Sequence, residues 1–319
     1  MLSSRKLTRS YFKSSSHGVE PLQFTPAELL DIRGSANPDK EALVVLDADE
    51  PKRRAITFGE LKTQTENLAA GMIRQGLQTG DRVALLCPSS IEYAVVEYTL
   101  TRTGAILIRF HVSANASDSI KYVLKHGKCR WLIAHPGVKG ENYRILTDMI
   151  PCLKKHDPSA ARLAVDELPD LESIFIISSN GDSYPGTLPW TAFTKGIKDG
   201  DLSKMRERQA KIDGDMIHGC YCTSGSTGNP KFVAMPGHCA TNFLRSYLLR
   251  WGLNENDRVM GDRPMCYAGG STSFLLRLGA TVYSVRTPTT GPEAKRRLDL
   301  YLNSVIGHYR SLHVPVHVR

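Results

Sequence analysis

The sequence predicts an α/β fold with mainly parallel sheets flanked by helices. Short hydrophobic segments alternate with helical patterns between residues 24 and 134, which is the order expected of βαβ units. The chain has 319 residues, of which 41% are hydrophobic and 23% are charged, as in ordinary globular proteins. Because no apolar run reaches about 18 residues, we expect no transmembrane segment.

Each predicted element follows from its local pattern. Thr25, followed by a proline and an acid, predicts a helix through Ile32. Thr57, with Glu60 three places on, is a second start signal, and its helix is expected to end near Gly76. Further helices are predicted at 91–103, 117–126 and 240–251, and strands at 42–46, 81–87, 105–108, 130–134, 173–178, 216–222, 232–235, 257–260 and 279–282. Two segments are predicted to lack regular structure, a charged turn at 47–54 and a solvated connector at 180–215.

The net charge of +9 is concentrated near the two ends of the chain. Residues 1–18 and 286–319 each carry a net charge of +4, which leaves +1 on the body between them. A nearly neutral body disfavours a basic nucleic-acid-associated protein, and this function is the least favoured of those that we consider. Residues 1–18 are also serine-rich and free of acids, a composition typical of a mitochondrial presequence. We expect the protein to be located in the mitochondrial matrix, or in the cytoplasm if this segment is a basic tail without a targeting function.

The seven cysteines show no repeated C-x-x-C spacing and are expected to be reduced. A metal-binding cluster could in principle be formed by Cys220, Cys222, His238 and Cys239. On the assumption that Cys220 and Cys222 point to opposite faces of a strand, we expect no metal site. His238 is expected to be a helix cap or a core residue.

The most informative stretch is 221–231, which reads Tyr-Cys-Thr-Ser-Gly-Ser-Thr-Gly-Asn-Pro-Lys. Apolar runs on both sides predict a strand, a tight loop and a second strand. Glycines that let the backbone turn sharply, several hydroxyl groups and a terminal lysine together suit a polyphosphate ligand. The stretch is not a Walker A loop, because Lys231 follows a proline and precedes residues that favour a strand.

This stretch resembles the signature loop of the adenylate-forming (AMP-binding) enzymes, which include the acyl-CoA synthetases. Three further segments are similar to the amino-terminal part of these enzymes, at 56–61 (Ile-Thr-Phe-Gly-Glu-Leu), 80–84 (Gly-Asp-Arg-Val-Ala) and 104–105 (Gly-Ala). The resemblance implies an incomplete large N-terminal domain of an adenylate-forming enzyme over residues 19–285, with a divergent basic tail at 286–319.

The resemblance also implies an activity, cofactors and site residues. It points to an acid–thiol ligase that activates a carboxylic acid, of the fatty-acid type, with ATP to an acyl-adenylate and then to a CoA thioester. ATP and Mg²⁺ are the implied cofactors, CoA is the co-substrate, and protein partners are unknown. Lys231 is the implied catalytic residue, and the phosphate contacts fall on Thr223, Ser224, Gly225, Ser226, Thr227, Gly228 and Lys231.

Residues 264–270 resemble the element that helps to wall the acyl pocket in the family. Tyr267, Gly269 and Gly270 are therefore candidate pocket residues, with Tyr267 in the place of the relatives' histidine. No Thr-Glu and no Thr-Gly-Asp follows residue 231, although the family uses these elements for Mg²⁺ and the ribose. Two explanations stay open: a fragment of a longer enzyme, or a truncated, catalytically incompetent product that retains at most weak nucleotide binding.

Overall fold

The computed structural model describes residues 20–47, 53–110, 116–178, 182–223, 230–243, 245, 252–261, 263–270 and 279–286. Its strands are β1 (Glu41–Asp47), β2 (Arg53–Thr57), β3 (Arg82–Leu86), β4 (Ile106–Arg109), β5 (Trp131–Ala134), β6 (Ser173–Ile176), β7 (Leu188–Pro189), β8 (Ile217–Cys222), β9 (Phe232–Pro236), β10 (Arg258–Gly261) and β11 (Thr281–Arg286). Its helices are α1 (Pro26–Ala36), α2 (Phe58–Arg74), α3 (Ile91–Thr103), α4 (Ala116–His126), α5 (Glu141–Met149), α6 (Thr191–Thr194), α7 (Asp199–Gln209) and α8 (Gly237–Asn242).

The strands form two sheets. One has the order β7-β6-β5-β3-β4-β8-β9 and is parallel except for the pairing of β8 with β9. The other has the order β10-β11-β1-β2 and is parallel except for the pairing of β1 with β2. The prediction of an α/β fold with mainly parallel sheets flanked by helices is therefore confirmed.

Helices cover both faces of the larger sheet. Alternate residues of its strands, such as Val83 and Leu85, join a hydrophobic cluster with α2 and α3, which we call the α2/α3 cluster. The intervening residues, such as Ala84 and Leu86, join a second cluster with α4 and α5, the α4/α5 cluster. Because successive side chains of a strand point to opposite faces, strands covered on both sides need unbroken apolar runs, which is why these runs were visible in the sequence.

The two capping signals form as predicted. Thr25 accepts a hydrogen bond from the backbone of Glu28, and the Glu28 side chain bonds back to the Thr25 backbone. Thr57 and Glu60 make the same reciprocal pair at the start of α2. Each box satisfies two backbone donors that the first helical turn leaves without partners.

Two predictions of irregular structure are wrong. The turn predicted at 47–54 ends in strand β2. The connector predicted at 180–215 contains α6 and α7, and it buries the side chains of Phe193 and Met205 against α2 and its neighbours. These two buried side chains, together with partly buried apolar neighbours such as Trp190 and Leu202, dock a segment that is otherwise polar. Within the described residues, no helix is long and apolar enough to cross a membrane.

Arg102 joins four helices through one buried guanidinium. It donates to the hydroxyl of Thr65 at 2.9 Å, to the side-chain oxygen of Gln209 at 2.8 Å and to the carboxylate of Asp31 at 2.7 Å. Gln209 also donates to the second carboxylate oxygen of Asp31 at 2.7 Å. The network ties α3 to α1, α2 and α7, so α7 is held by polar contacts as well as by Met205.

We expect Arg102→Met to lower the free energy of unfolding by roughly 3–5 kcal/mol. The change removes the guanidinium that donates hydrogen bonds to Thr65, Gln209 and the Asp31 carboxylate. The matched control is Arg54→Met, whose side chain is 54% exposed and pairs with Glu92 at the surface. That change should cost no more than about 1 kcal/mol. Urea denaturation of both variants is the measurement, and equal losses of stability would contradict the role given to Arg102.

Candidate functional site

The carboxyl ends of neighbouring parallel strands bring the candidate site together. β3, β4 and β8 lie side by side and run in one direction, so the segments that follow them leave the sheet at the same edge. The turn at 264–270 reaches this edge too, since the backbone N–H of Met265 donates to the Ser89 hydroxyl, just after β3, at 3.0 Å. Ligands of open α/β sheets bind at this edge.

The predicted phosphate loop closes the antiparallel hairpin of β8 and β9. At its base the backbone N–H of Thr223 donates to the carbonyl of Lys231 at 2.9 Å, and the N–H of Lys231 donates to the Thr223 hydroxyl oxygen at 3.1 Å. Among the described residues, the hydroxyl hydrogen of Thr223 has no acceptor. Thr223 and Lys231 are both exposed. The remaining predicted loop contacts lie outside the described residues, namely Ser224, Gly225, Ser226, Thr227 and Gly228.

Helix α4 fixes the backbone on both sides of the loop lysine. The Tyr122 hydroxyl donates to the carbonyl of Pro230 at 3.2 Å. The Tyr122 ring stacks on Phe232 with centroids 6.4 Å apart and an interplanar angle of 14°. Since Pro230 and Phe232 flank Lys231, one side chain of α4 sets the position at which the lysine leaves the hairpin.

A buried ion pair lies beneath the stem of this hairpin. Arg109, the last residue of β4, donates from Nη2 to the carboxylate of Glu97 on α3 at 2.7 Å. Their side chains are only 1% and 4% exposed. The guanidinium also lies over the ring of Tyr221 on β8, with its carbon 4.7 Å from the ring centroid. β4 pairs with β8 so that Arg109 stands opposite Tyr221, two residues before the loop begins at Thr223.

The guanidinium occupies space that glycine leaves open. An added Cβ atom at Gly219 would come within 2.2 Å of Nη1 of Arg109. Within the described part of the chain, Nη1 and Nε of Arg109 and the hydroxyl of the neighbouring Tyr93 have no hydrogen-bond partner. A buried donor without a partner costs about 1–3 kcal/mol. The unpaired donors therefore offset part of the stability that the ion pair and the ring contact contribute.

His218 meets the same guanidinium from a β-bulge. The pairing of β8 with β9 shifts register between Ile217 and Gly219, and a bulge of this kind re-aims the extra side chain. Nε2 of His218 lies 3.2 Å from Nη2 of Arg109. Burial and the nearby Arg109 charge lower the pKa of His218 to about 3. Because a guanidinium can only donate, the neutral imidazole accepts at Nε2 and carries its proton on Nδ1.

The three candidate pocket residues lie in one tight turn. The N–H of Tyr267 donates to the carbonyl of Pro264, and that of Gly270 donates to the carbonyl of Tyr267, both at 3.0 Å. A Cβ atom on Gly270 would come within 2.1 Å of the Pro264 carbonyl oxygen, so the turn requires glycine there. Gly269 belongs to the same turn, and Tyr267 is 39% exposed. Their contact with an acid substrate stays a prediction.

Two sequence-based assumptions about metal and histidine are wrong. Cys220 and Cys222 both pack on the α4/α5 cluster, because residues two apart in a strand face the same way. His238 is neither cap nor core, since its side chain is 51% exposed and the cap of α8 is Pro236. In the described ranges, no three His, Cys, Asp or Glu side chains group to hold a metal ion.

Sequence reasoning missed Arg109, Glu97 and Tyr122. The first two carry a signal, since each is a lone charge inside an apolar segment and their charges are opposite. Neighbouring elements with such charges favour a buried pair, because an isolated buried charge is very costly. Tyr122 has no comparable signal, because a tyrosine on an amphipathic helix fits ordinary packing as well.

The hairpin of β8 and β9, whose loop sequence is rich in hydroxyl groups, stands at the carboxyl edge of a largely parallel sheet, which is the edge where α/β proteins of this class bind ligands. The chain belongs to the AMP-binding enzyme family, whose profile matches residues 30–303. It is similar to the mitochondrial medium-chain acyl-CoA ligase ACSF2 of Rattus norvegicus, with 29% identity over 226 residues, 68% of this chain and 34% of that protein. The Danio rerio ACSF2 is 25% identical over 297 residues, 92% of this chain and 47% of the relative. The chain thus spans between a third and a half of these relatives.

Solved structures show the same fold. A putative long-chain-fatty-acid CoA ligase from Rhodopseudomonas palustris superposes with a TM-score of 0.64 at 20% identity, over 88% of this chain and 61% of that chain. The anthranilate CoA ligase AuaEII in complex with anthranoyl-AMP gives 0.63 at 20% identity, over 84% and 46% of the respective chains. The large N-terminal portion of the adenylate-forming CoA ligases is therefore the fold of this chain.

The low pKa of His218 predicts a contribution to acid sensitivity. Between pH 6.5 and about 3 the unfolded chain binds a proton at this histidine that the folded chain does not, so stability falls as the pH falls through this window. His218→Gln should remove up to about 1.4 kcal/mol per pH unit of that slope. The measurement is the free energy of unfolding of both proteins at pH 4.5, 5.5 and 7. Parallel profiles for wild type and variant would contradict a neutral His218.

Proposed function

We propose that the chain supplies the ATP-binding part of an acid–thiol ligase of the acyl-CoA synthetase type. The reaction activates a carboxylic acid of the fatty-acid type with ATP to an acyl-adenylate, and then transfers the acyl group to CoA. The observation that carries the proposal is the closed base of the hairpin loop. Thr223 and Lys231 form this base, and they lie at the sheet edge that also holds the turn at 264–270.

Adenylation of a carboxylate brings two anions together. The acid's oxygen attacks the α-phosphorus of ATP in line with the leaving pyrophosphate, so the protein must offset repulsion and hold the triphosphate still. The Lys231 ammonium group and the Thr223 hydroxyl are donors suited to phosphate oxygens. Both residues are exposed at the base of the loop.

The surrounding residues give the loop a rigid base. Tyr122 binds the carbonyl before Lys231 and stacks on the side chain after it, which limits the rotation of the lysine's backbone. Arg109 contacts Tyr221 at the other strand of the stem. A preorganised donor costs less reorganisation when charge develops on the leaving group, which is how such a stem would contribute to catalysis.

The family implies Mg²⁺, but the described residues of the candidate phosphate site, Thr223 and Lys231, carry no carboxylate to hold it. Mg²⁺ is held by carboxylates together with substrate phosphates. In the ranges that the structure describes, no three His, Cys, Asp or Glu side chains are arranged to hold a metal ion. Our proposal for this chain therefore rests on the lysine and hydroxyl donors alone.

The relatives support the choice among acids. Those in Rattus norvegicus and Danio rerio are named medium-chain acyl-CoA ligases, which favours a fatty acid and CoA as the substrates. The acid and its chain length depend on a pocket to which Tyr267, Gly269 and Gly270 contribute in our proposal. Because the chain covers less than half of these relatives, the complete two-step reaction is a proposal for the whole enzyme.

The Lys231→Ala variant tests the proposal. We expect ATP to raise the melting temperature of the wild-type chain, and the variant to bind ATP about 10- to 100-fold more weakly, because a hydrogen bond to a charged group contributes about 1.5–3 kcal/mol. Lys211→Ala is the matched control, an exposed lysine that lies before β8 at the opposite end of the hairpin. If the wild-type chain supports acid-dependent exchange of pyrophosphate into ATP, the rate of this exchange should fall in the Lys231→Ala variant together with its affinity for ATP.

Three other outcomes would each favour a different conclusion. ATP binding without exchange would mean that this chain alone does not catalyse adenylation, as expected both of a fragment of a longer enzyme and of the catalytically incompetent alternative. Salt-sensitive retention on a nucleic-acid column without ATP stabilisation favours the nucleic-acid alternative. Undiminished ATP binding and exchange in Lys231→Ala would remove the lysine's assignment.

We also propose the mitochondrial matrix as the location. The proposal is supported by the basic, acid-free composition of residues 1–18 and by relatives named as mitochondrial. Fusion of residues 1–18 to a fluorescent reporter should direct it to mitochondria, and replacing Arg5, Lys6 and Arg9 with glutamine should abolish this. A reporter that stays in the cytoplasm would favour the alternative location.

A further inference from the structure

Cys239 lies beside a histidine that is itself held by a carboxylate. Its Sγ atom is 3.3 Å from Nε2 of His238. On the other side of the ring, Nδ1 of His238 is 3.0 Å from a carboxylate oxygen of Asp215. A nucleophile, a base and a group that orients the base are the three parts of an activated thiol.

Backbone hydrogen bonds fix this arrangement. The N–H of His238 donates to the carbonyl of Gly214 at 2.7 Å, and the N–H of Gly237 donates to the carbonyl of Met216 at 3.0 Å. At the other end of α8, Asn242 exchanges side-chain hydrogen bonds with the backbone of Leu22 at 2.8 and 3.0 Å. The helix is thus tied to the turn that carries Asp215. Backbone bonds, and not only the exposed ion pair, therefore keep Asp215, His238 and Cys239 in contact.

The contacts of the imidazole decide where its proton lies. Nδ1 faces two acceptors, the Asp215 carboxylate and the Gly214 carbonyl, the latter at 3.2 Å. Both are satisfied only when Nδ1 carries a hydrogen, which leaves the lone pair of Nε2 facing the thiol in the neutral ring. In that tautomer the thiol donates its hydrogen to Nε2.

The described contacts of the other thiols are different from those of Cys239. Burial raises the pKa of Cys129 and Cys220, and it raises that of Cys222 to about 12 and that of Cys266 to about 11. Cys87 lies 3.5 Å from the hydroxyl of Ser90. Cys152 is exposed, and among the described residues no side chain makes a hydrogen bond or ion pair with its sulfur. It therefore serves as an internal standard for an accessible thiol without a base.

We propose that Cys239, His238 and Asp215 form a thiol-modification site that reacts with small disulfides. The Cys239 proton passes to Nε2 of His238, and the thiolate attacks one sulfur of the disulfide. A new S–S bond forms at Sγ while the original S–S bond breaks. The second sulfur leaves as a thiolate and takes the proton from His238, so the cysteine is oxidised and half of the reagent is reduced.

The surroundings of Sγ favour disulfides over thioesters as the reagent. Acyl transfer from a thioester needs donors placed around a developing oxyanion. Among the described residues, the hydrogen-bond partner of Sγ is His238, which is occupied as the base. Disulfide exchange needs an attacking thiolate, an accessible sulfur and no oxyanion donors. The exposed His238 gives a small reagent a path to the thiol.

This site is separate from the candidate phosphate site. α8 follows the end of β9, whereas the loop precedes its start, so the two lie at opposite ends of the hairpin. Strand β9 rises about 3.3 Å per residue, which puts Cys239 roughly 20 Å from Lys231. Reaction at Cys239 therefore does not depend on the proposed ligase function, and neither result decides the other.

The test is the rate of mixed-disulfide formation at each cysteine with 2-hydroxyethyl disulfide, a neutral probe, followed by peptide mass spectrometry of the folded full chain. We expect Cys239 to react at least about tenfold faster than Cys152, because a positioned general base contributes about 10²- to 10⁴-fold. His238→Gln should remove most of this advantage. Asp215→Asn should remove a smaller part, and Asp39→Asn, which removes an exposed carboxylate elsewhere, should have no effect.

Each contrary result has a definite meaning. Equal rates at Cys239 and Cys152, or an unchanged rate in His238→Gln, would overturn the site. Equal effects of Asp215→Asn and Asp39→Asn would remove Asp215 from it. Faster reaction of Cys239 with S-phenyl thioacetate than with the disulfide would overturn the reagent class. His238 is half exposed, so its replacement is expected to leave the fold intact, and the rate at Cys152 reports any unfolding.

Discussion

The ion pair between Arg109 and Glu97 is the constraint on which the candidate site depends. It lies between α3 and the β4–β8 edge, almost fully out of water. Transfer of two charges from water costs several kcal/mol per ion, and their attraction repays this only with good geometry and satisfied hydrogen bonds. Here two nitrogen atoms of the guanidinium find no acceptor among the described residues. Such a pair contributes little net stability, but it strongly disfavours any packing that would separate its members.

The pair in turn fixes what can stand on β8. Gly219 must lack a side chain, His218 must bulge outward to meet Nη2, and Tyr221 must offer its ring face to the cation. A cation over an aromatic ring contributes up to about 2 kcal/mol when desolvated, which compensates in part for the missing hydrogen bonds. Three positions of β8, at 218, 219 and 221, are therefore constrained by a single residue of the neighbouring strand. The loop begins two residues after the last of them.

Most of the fold could be predicted because the larger sheet is covered on both faces. Strands such as β3 and β5 need continuous apolar runs, and Thr25 and Thr57 announce their helices by reciprocal caps. α7 escaped prediction because it docks through few apolar side chains, the buried Met205 and the partly buried Leu202, and through the Arg102 network, which has no period in the sequence. Of the site, the loop was visible as a motif. Its supports were not, because burial of an arginine contradicts the usual distribution of charged residues.

The hairpin of β8 and β9 has two chemically different ends. One end carries hydroxyl groups and Lys231, which suit phosphate oxygens and do not need a base. The other end carries a thiol, an imidazole and a carboxylate, which suit proton transfer and a nucleophile. A strand of five residues is stiff along its length, so the two ends share a backbone but no side-chain contact. A mixed disulfide at Cys239 would alter the conformation of the loop only if it shifted the register of β9 against β8. The pairing of Val233 with Tyr221, whose ring contacts Arg109, opposes that shift.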